Sequence, residues 1–389
     1  MGLSRSFTHY MSTLEPHDSL SVDKGLLVKR DMDHIRILQQ NCWVENTDRV
    51  RRTNDLIRGI LNLDPAIVCL QEVVTRDVKN ELWKNLTDRY HILSTEYTEP
   101  NFPPLAYLPC VLVTVIAMTV LLWDGNLSLT IPVWAATILV LNPQGLFSCA
   151  SFVITNRTTP SLDLMGQSIL VRRSHGSEGW SSVRVVGVHP FPHNLRGYPS
   201  PTSFKKAFFY WAQHCFIRPG FIVVHATGGC QDAWILSTHL VVSKPKTDRN
   251  PNRLKQVKHM NSILKQHMTK IKSSNGDPLI VVSGDFNAPG ESPEVGFMGS
   301  MGFIDACAPG SSWPVKPQIS FPTWHRGSNP YTESDVDEPD NRLDYVFVKG
   351  LRCVKAERVF DGSNLPIVSD HFGVLATLEL NVLKFVPKI

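Results

Sequence analysis

Short runs of apolar and β-branched residues recur along most of the chain, separated by segments rich in glycine, proline and polar residues. Such runs are typical of buried strands, and they predict strands over residues 35–40, 66–70, 167–171, 183–188, 221–225, 234–240, 279–283, 344–348 and 373–380. Apolar residues at helical spacing predict helices over residues 49–61, 78–87, 252–272 and 294–301. Strands outnumber helices and several follow one another directly, so we expect an α/β fold with two packed sheets flanked by helices.

The composition changes abruptly after Glu99. Asp, Glu, Lys and Arg are absent from residues 100–123 and again from residues 125–156, and Asp124 stands between the two stretches. Residues 105–123 form an uncharged run close to the roughly 20 residues that cross a bilayer as a helix. Residues 127–147 form a second, weaker candidate, and the intervening Asp-Gly-Asn sequence indicates a turn. We therefore expect an inserted transmembrane helical hairpin over residues 103–155.

This hydrophobic segment has three interpretations. Two membrane spans fit its length best, and the alternatives are a re-entrant or interfacial hairpin and a buried core segment. Basic residues lie on both flanks, whereas the turn between the two candidate spans carries Asp124 alone. By the positive-inside rule, both flanks face the cytosol. The sequence thus predicts an integral membrane protein with two spans and a cytosolic catalytic domain.

The charge distribution and the cysteine content argue against a dedicated nucleic-acid binder and for reduced thiols. The 39 Lys and Arg and 35 Asp and Glu residues are dispersed and give a net charge of +4, unlike the concentrated basic surface of a dedicated nucleic-acid binder. The eight cysteines include no Cys-x-x-Cys pair and are expected to be reduced, buried thiols. Residues 1–33 lack the apolar core of a secretory signal, and we expect them to form a flexible N-terminal extension.

Polar residues that can carry chemistry follow many of the predicted strands directly. A loop at the end of a strand can present such side chains from a rigid scaffold. The set consists of Asn41, Gln71, Glu72, His239, Asp285, Asn287, Asp344, Ser369, Asp370 and His371. Each of them taken alone also fits an ordinary helix cap, turn or core position. Any inference about function therefore depends on the order of these residues along the chain and not on a single residue.

This order of motifs resembles the endonuclease/exonuclease/phosphatase superfamily, which is also called DNase I-like. The likeness is strongest for Gly284-Asp285-Phe286-Asn287, Arg342-Leu343-Asp344-Tyr345 and Ser369-Asp370-His371. It covers residues 34–99 and 165–380, with the hydrophobic segment inserted between them. The resemblance implies a catalytic domain folded as a four-layer α/β sandwich, in which two mixed β-sheets are flanked by helices.

Within that superfamily, the chain is most similar to the neutral sphingomyelinase branch. The likeness is carried by Asn41-Cys42-Trp43, Gln71-Glu72-Val73, Ser237-Thr238-His239-Leu240 and Arg253-x-x-Gln256. Sphingomyelinases usually have a Lys-Gly pair before the strand that carries the His motif, and Pro219-Gly220 stands there instead. The substrate is therefore less firmly indicated than the superfamily.

Oxygen donors among these residues indicate a metal-assisted reaction. The transition state of phosphodiester hydrolysis carries negative charge, and the chain has no lysine-rich phosphate loop to neutralise it. Asn41, Glu72 and Asp370 offer hard oxygen ligands, and their small number suits Mg²⁺, with Mn²⁺ as the alternative.

The resemblance also implies roles for the other polar residues. His371 would accept a proton from the attacking water, and Asp344 would orient its ring and stabilise the imidazolium. Asp285 and Asn287 would position the nucleophile and bind a phosphoryl oxygen. His239 would hydrogen-bond the phosphate or protonate the leaving group. The substrate-binding set is Asn287, His239 and Arg253.

An aromatic and basic cluster bears on the substrate. Phe204, Lys205, Lys206 and Trp211 fit either a core-facing helix or a lip that enters a lipid headgroup region. Together with the hydrophobic segment, the cluster favours Mg²⁺-dependent, sphingomyelinase-like hydrolysis of a phospholipid headgroup over a nuclease or deadenylase of the same fold. The expected partners are a phospholipid membrane and a phosphodiester lipid; nucleic acid is less favoured, and no protein partner is predicted.

Overall fold

Twelve strands and four helices form within the residues that the computed structural model describes, namely 34–43, 45, 47–94, 166–173, 180–192, 219–228, 232–242, 250–271, 278–307, 323, 329–331 and 341–379. The strands are β1 His34–Asn41, β2 Ile67–Gln71, β3 Tyr90–Ser94, β4 Ser168–Arg172, β5 Ser182–Pro190, β6 Gly220–Thr227, β7 Ala233–His239, β8 Leu279–Asp285, β9 Ile304–Asp305, β10 Asp344–Lys349, β11 Arg352–Val359 and β12 Gly373–Glu379. The helices are α1 Arg49–Leu63, α2 Arg76–Leu86, α3 Pro251–Lys270 and α4 Pro293–Ser300.

The strands form two mixed sheets of six strands each. Their orders are β11-β12-β1-β2-β4-β3 and β5-β6-β7-β8-β10-β9. Each sheet has one parallel pair, β1 with β2 and β7 with β8, and the recorded pairs around them are antiparallel. A helix joins each parallel pair, α1 in the first sheet and α3 in the second, as a parallel crossover requires. The predicted α/β fold with two mixed sheets is confirmed.

Alternating side chains on the central strands build three apolar layers. On β2, Ile67 points into the core between the sheets, whereas Val68 points toward α1 and α2. On β7, Ile235 joins the same central core, and Leu236 packs with α3 and α4. Because successive residues of a strand face opposite sides, a sheet with both faces covered needs apolar residues at consecutive positions. The order of layers is helices, sheet, sheet, helices.

All nine predicted strands and four predicted helices are present. The helix starts follow from local chemistry: the Asn250 side chain accepts a hydrogen bond from the Asn252 N–H at the start of α3, and Ser292 caps α4 in the same way. The strands β3, β9 and β11 were not predicted. The first and last lie at the two edges of the first sheet, where polar residues weaken the apolar pattern, and β9 has only two residues.

Several predictions concern parts of the chain that lie outside the described residues. These are the N-terminal extension 1–33, the hydrophobic hairpin 103–155, and the cluster Phe204, Lys205, Lys206 and Trp211. Within the described ranges, no helix combines the length and apolar character needed to cross a membrane. Four cysteines fall in the described part, and all four are free, buried thiols as predicted: Cys42, Cys69, Cys307 and Cys353.

Candidate active site

The polar residues singled out in the sequence meet at one end of the sandwich. Asn41 closes β1 beside Gln71 of β2, because parallel partners end at the same edge of a sheet. In the second sheet, His239 closes β7 beside Asp285 at the end of β8. Asp344 begins the antiparallel strand β10 opposite Asp285. Chain segments distant in sequence are thereby brought to a single site.

A buried histidine and aspartate form the best-defined contact of the site. His371 Nδ1 lies 2.8 Å from Asp344 Oδ2, and Asp344 is fully buried. The second carboxylate oxygen of Asp344 accepts a hydrogen bond of 2.8 Å from Gln39 Nε2, and its backbone N–H donates to Thr323 Oγ1 at 3.2 Å. With Nδ1 engaged, the ring directs Nε2 toward Asp285, whose Oδ2 is 3.9 Å away.

The surrounding charges determine the protonation of His371. Burial alone would lower the pKa of its imidazole, but the neighbouring carboxylates of Asp344, Asp370 and Asp285 outweigh burial and raise the pKa well above its ordinary value. The site therefore stabilises the imidazolium form of His371. A base that has just taken a proton from water gains this stabilisation.

Asp285 holds several other groups in position. Its Oδ1 accepts the backbone N–H of Asn287 at 2.8 Å, and its Oδ2 accepts Asn41 Nδ2 at 3.1 Å. His239 Nε2 lies 3.4 Å from the same Oδ2. Burial raises the pKa of the Asp285 carboxyl, and this effect exceeds the opposite influence of His371 and His239.

The residues of this site fit a hard divalent cation. The Glu72 side chain is partly accessible, and its Oε1 accepts a hydrogen bond of 3.1 Å from Asn41 Nδ2. The pKa of the Asp370 carboxyl is raised to about 6, by burial and then by the negative charge of Glu72, against the opposing effect of His371. Two carboxylates that repel one another in a largely buried site are the donor set that Mg²⁺ or a similar cation stabilises.

Asn41 is oriented differently from the expectation for a metal ligand. Its amide nitrogen faces Glu72 and Asp285, while its Oδ1 accepts the backbone N–H of Trp43 at 3.0 Å. In this arrangement Asn41 fixes the two carboxylates as a donor. Its role as an oxygen ligand stays a prediction.

A second group of potential ligands lies beside the first. One ligand atom each from Asp285, Asp344 and His371 falls within 4.8 Å of the others. Asp344 and His371 are hydrogen-bonded to one another through Oδ2 and Nδ1 at 2.8 Å. This contact suits proton transfer by Asp344 and His371, and metal binding by Glu72 and Asp370 stays a prediction.

The backbone of the site adopts an uncommon conformation at three positions. Trp43, Glu72 and Asn287 have φ angles of 54°, 60° and 48°, in the left-handed region that non-glycine residues seldom occupy. Such conformations persist only where the surrounding structure enforces them, and they cluster at functional sites. Each of the three lies in or directly beside the cluster of polar side chains.

One glycine sets the spacing of the two central strands. A Cβ atom at Gly284 would lie 1.9 Å from the carbonyl oxygen of Thr238 on the neighbouring strand β7. No larger residue fits there without displacing the backbone. Gly284 therefore permits the close approach that places His239 beside Asp285.

Sequence reasoning singled out Gln71 but missed the chain of buried side chains between the two sheets to which it belongs. Gln39 Nε2, which contacts Asp344, also lies 2.6 Å from Gln71 Oε1. Gln71 Nε2 donates to Ser237 Oγ at 3.1 Å, and this hydroxyl donates to Gln167 Oε1 at 2.8 Å. The signal was available, because these polar residues interrupt otherwise apolar strands. Through Gln39, this network holds the carboxylate of Asp344 in position.

Arg52 was also missed, and it joins the loops on one side of the site. Its buried guanidinium donates to the carbonyl oxygens of Cys42 and Val368, each at 3.0 Å. It also lies over the rings of Trp43 and Tyr331, 4.6 Å and 5.5 Å from their centroids. Further carbonyl partners are Trp43, Glu45 and Thr47. An arginine on the apolar face of a predicted helix was the available signal.

Two substrate-binding predictions have different structural settings. Asn287 lies in the cluster, and its Nδ2 donates to the Leu240 carbonyl at 2.9 Å. Arg253 is almost fully buried in the first turn of α3, where its Nε lies 3.9 Å from Glu294 Oε1 of α4. This contact links the two helices, and contact of Arg253 with substrate stays a prediction.

Solved structures of known proteins share this fold. TDP2 from C. elegans aligns with a TM-score of 0.52 and 17% identity over 90% of this chain and 78% of its own. D. rerio TDP2 complexed with single strand DNA product gives 0.50 and 15% over 89% and 99%. SmcL gives 0.51 and 13% over 89% and 99%. At these identities the likeness shows the fold alone.

Sequence comparison identifies the family. No curated protein sequence matches the chain at significant similarity. The model of the Endonuclease/Exonuclease/phosphatase family, in contrast, matches residues 38–371, a range that contains the polar residues of the candidate site. The chain therefore belongs to the endonuclease/exonuclease/phosphatase family, and it is a metal-dependent hydrolase of the phosphodiesterase type.

Proposed function

We propose that the protein hydrolyses a phosphodiester in a phospholipid headgroup, with Mg²⁺ as the metal and water as the attacking group. The observation that carries the lipid assignment is the position of the hydrophobic segment. It is inserted between two paired strands at the end of the sandwich that holds the active site.

The chemistry follows from the hydrogen-bonded groups. His371 Nε2 takes the proton of the attacking water, while Asp344 stabilises the charged ring through the 2.8 Å contact at Nδ1. Asp285 and Asn287 orient the nucleophile and the phosphoryl group. Glu72 and Asp370 would hold the Mg²⁺ ion, which would supply positive charge near the phosphoryl group.

His239 is placed to serve the leaving group. Its side chain is buried, its Nε2 lies 3.4 Å from Asp285 Oδ2, and its Nδ1 is 4.0 Å from Glu72 Oε1. That Nδ1 makes no hydrogen bond with any described residue. A buried imidazole whose two nitrogens face the carboxylates of Glu72 and Asp285 supports a direct contact with substrate, as donor to the phosphate or acid for the leaving oxygen.

The hydrophobic segment leaves and re-enters the fold beside the metal ligands. Ser94 at the end of β3 pairs with Ser168 of β4, so residues 95–165 begin and end at neighbouring positions. Ser168 also pairs with Leu70, and the Gly166 carbonyl accepts the Val73 N–H at 3.1 Å. Val73 directly follows Glu72. An apolar segment attached here would hold the active site at a membrane surface.

The aromatic and basic cluster is inserted at the same end of the second sheet. Residues 191–219 connect β5 to β6, and Pro190 pairs with Gly220 at their junction. The next residue, Phe221, pairs with Thr238, which directly precedes His239. The hydrophobic segment and the connection between β5 and β6 are therefore both attached at the end of the sandwich that holds the active site. This shared position favours the lip interpretation of Phe204, Lys205, Lys206 and Trp211.

A substrate panel tests the proposal. The full chain, purified in detergent, is assayed with Mg²⁺ and with chelator on sphingomyelin, lysophospholipids, phosphatidylcholine, single-stranded DNA, duplex DNA and poly(A). His371→Ala serves as the inactive control, so that contaminating activities are recognised. We expect Mg²⁺-dependent release of a headgroup phosphate from lipid. Hydrolysis of nucleic acid with no turnover of any lipid would contradict the lipid assignment and establish the alternative of a nuclease or deadenylase.

A further inference from the structure

Three histidines gather between β5 and α3. His189 lies on β5, and His259 and His267 lie on α3, which covers the outer face of the second sheet. His189 and His259 both contact the ring of Phe221, at centroid distances of 5.0 Å and 6.1 Å. None of the three histidines has a role in the catalytic chemistry described above.

Two of these rings present their Nε2 atoms to each other. His189 Nε2 and His267 Nε2 are 2.9 Å apart. One imidazole comes from an edge strand and the other from the last turn of the helix, so the contact joins two separate elements. Two imidazoles from different elements that converge on one point can supply two of the ligands of a metal site.

The local fold holds the His189 ring in this position. The ring stacks on Phe221 with an interplanar angle of 27°. The register of β5 against β6 shifts between Val185 and Gly187. A Cβ atom at Gly187 would lie 2.0 Å from His189 Nε2, so the absence of a side chain there makes room for the ring. The ligand atom is thus fixed by packing rather than free on the surface.

The chemistry of the pair favours metal binding near neutral pH. The pKa of His189 is lowered to about 4, by burial and then by the nearby imidazoles of His267 and His259. Burial and Lys270 also lower the pKa of His267. Both rings are therefore neutral at pH 7. In the 2.9 Å contact, one Nε2–H donates to the other Nε2; when that proton shifts to Nδ1 of its own ring, both Nε2 lone pairs are available to a cation.

We infer that His189 and His267 form a binding site for a divalent transition metal, with Zn²⁺ as the preferred ion. Two nitrogen ligands at about 2.0–2.1 Å in tetrahedral geometry are about 3.3 Å apart, so the rings need to separate by only a few tenths of an ångström. Imidazole ligands select Zn²⁺, Cu²⁺ or Ni²⁺ over Mg²⁺. The remaining ligand positions are open to water. The bound ion fastens edge strand β5 to helix α3.

A zinc titration tests this site without reference to the enzyme activity. The full chain carries Glu72→Gln to weaken the catalytic metal site and is titrated with Zn²⁺ in competition with a chromophoric chelator, with Mg²⁺ present. His189→Gln and His267→Gln are compared with His91→Gln, which alters a partly buried histidine of β3 in the first sheet. We expect the two site variants to weaken Zn²⁺ binding at least about tenfold and the control to bind as the parent. Parent-like binding in both site variants would overturn the inference.

A misfolded glutamine variant would also bind Zn²⁺ poorly. X-ray absorption at the zinc edge therefore provides a second test that does not depend on the variants. It is measured on the zinc-loaded chain that retains both histidines. The inference predicts two imidazole nitrogens at about 2.0 Å, completed by oxygen ligands. A spectrum with oxygen ligands and no imidazole would place the zinc elsewhere and overturn the assignment.

Discussion

His371 and Asp344 lie 2.8 Å apart through Nδ1 and Oδ2, and the contact is closed off from solvent by the sheets behind it. Asp344 belongs to the strand β10, whereas His371 follows a loop and precedes β12 of the other sheet. The pair therefore spans the interface between the two sheets. Because Gln39 of the first sheet also contacts Asp344, both sheets must be packed before the base is oriented.

The first prediction concerns this pair as one proton-transfer unit. His371→Ala and Asp344→Asn should each lower kcat by roughly 10² to 10⁴, since general-base catalysis contributes about that much. The kcat of the double variant should be close to that of the slower single variant, because the second change removes a function that is already lost. Rate losses that multiply in a double-mutant cycle would show that the two residues act separately.

The second prediction is a pH dependence of metal-induced stability. The folded-state pKa of Asp370 is raised to about 6 from 3.8, so without metal this group lowers stability as pH rises from about 4 to 6. Above that range the carboxylate is free of its proton and available to the cation. Mg²⁺ should therefore raise Tm more at about pH 8 than at about pH 5.

The control for that measurement is Asp370→Asn, which keeps the shape and removes the titrating group. Its Mg²⁺-induced change in Tm should be smaller than that of the parent and should not increase between the two pH values. A parent protein with the same Mg²⁺ response at both values would contradict a role for Asp370 as ligand.

The third prediction compares the effect of a lysine substitution at Arg52 with that of the same substitution at its neighbour Arg51. Lysine at position 52 cannot reach carbonyls of the loops around Cys42 and Val368 at once, and charge-assisted hydrogen bonds contribute about 1.5–3 kcal/mol each. Arg52→Lys should lower the free energy of unfolding by at least about 2 kcal/mol and lower kcat, because Val368 leads directly to the segment with Asp370 and His371.

Arg51→Lys provides the matched control. Arg51 is half-exposed, pairs with Asp48 at 3.2 Å and with Asp55 at 3.5 Å, and contacts the Tyr331 hydroxyl. A lysine keeps the charge for both surface pairs, so the substitution should change stability by less than about 1 kcal/mol. Denaturant unfolding and steady-state kinetics on both variants decide the comparison. Equal effects of the two substitutions would remove the positioning role of Arg52.

Local sequence pattern is enough to predict the central strands and part of the candidate site. The apolar runs predicted the central strands because both faces of each sheet are covered, and the motif order predicted Asp285, Asp344 and His371 at one end. The pattern could not reveal β11, an edge strand whose charged residues include Arg352 and Glu357. Nor could it show which atom of Asn41 faces Glu72, because that depends on the left-handed turn at Trp43.

The fourth prediction addresses the hydrophobic insertion. Because Ser94 and Ser168 pair directly, a short Gly/Ser linker in place of residues 103–155 should let the domain close. This variant should keep Mg²⁺-dependent hydrolysis of a water-soluble phosphodiester and lose activity on bilayer substrate. Activity is compared on both substrate forms, together with partition between membrane and soluble fractions. Aggregation with loss of all activity would show that the segment belongs to the core of the domain.

The most direct test of the central claim follows the oxygen of the attacking water. The full chain is incubated with sphingomyelin vesicles and Mg²⁺ in ¹⁸O-labelled water, and the released headgroup phosphate is analysed by mass spectrometry. Glu72→Gln is run in parallel, since it removes one negative charge from the metal site with little change in shape. The account predicts one ¹⁸O atom in the phosphate product of the parent, and no product from Glu72→Gln or from the parent in excess chelator. Unlabelled phosphate, or equal product from Glu72→Gln, would contradict metal-assisted attack of water on phosphorus at this site.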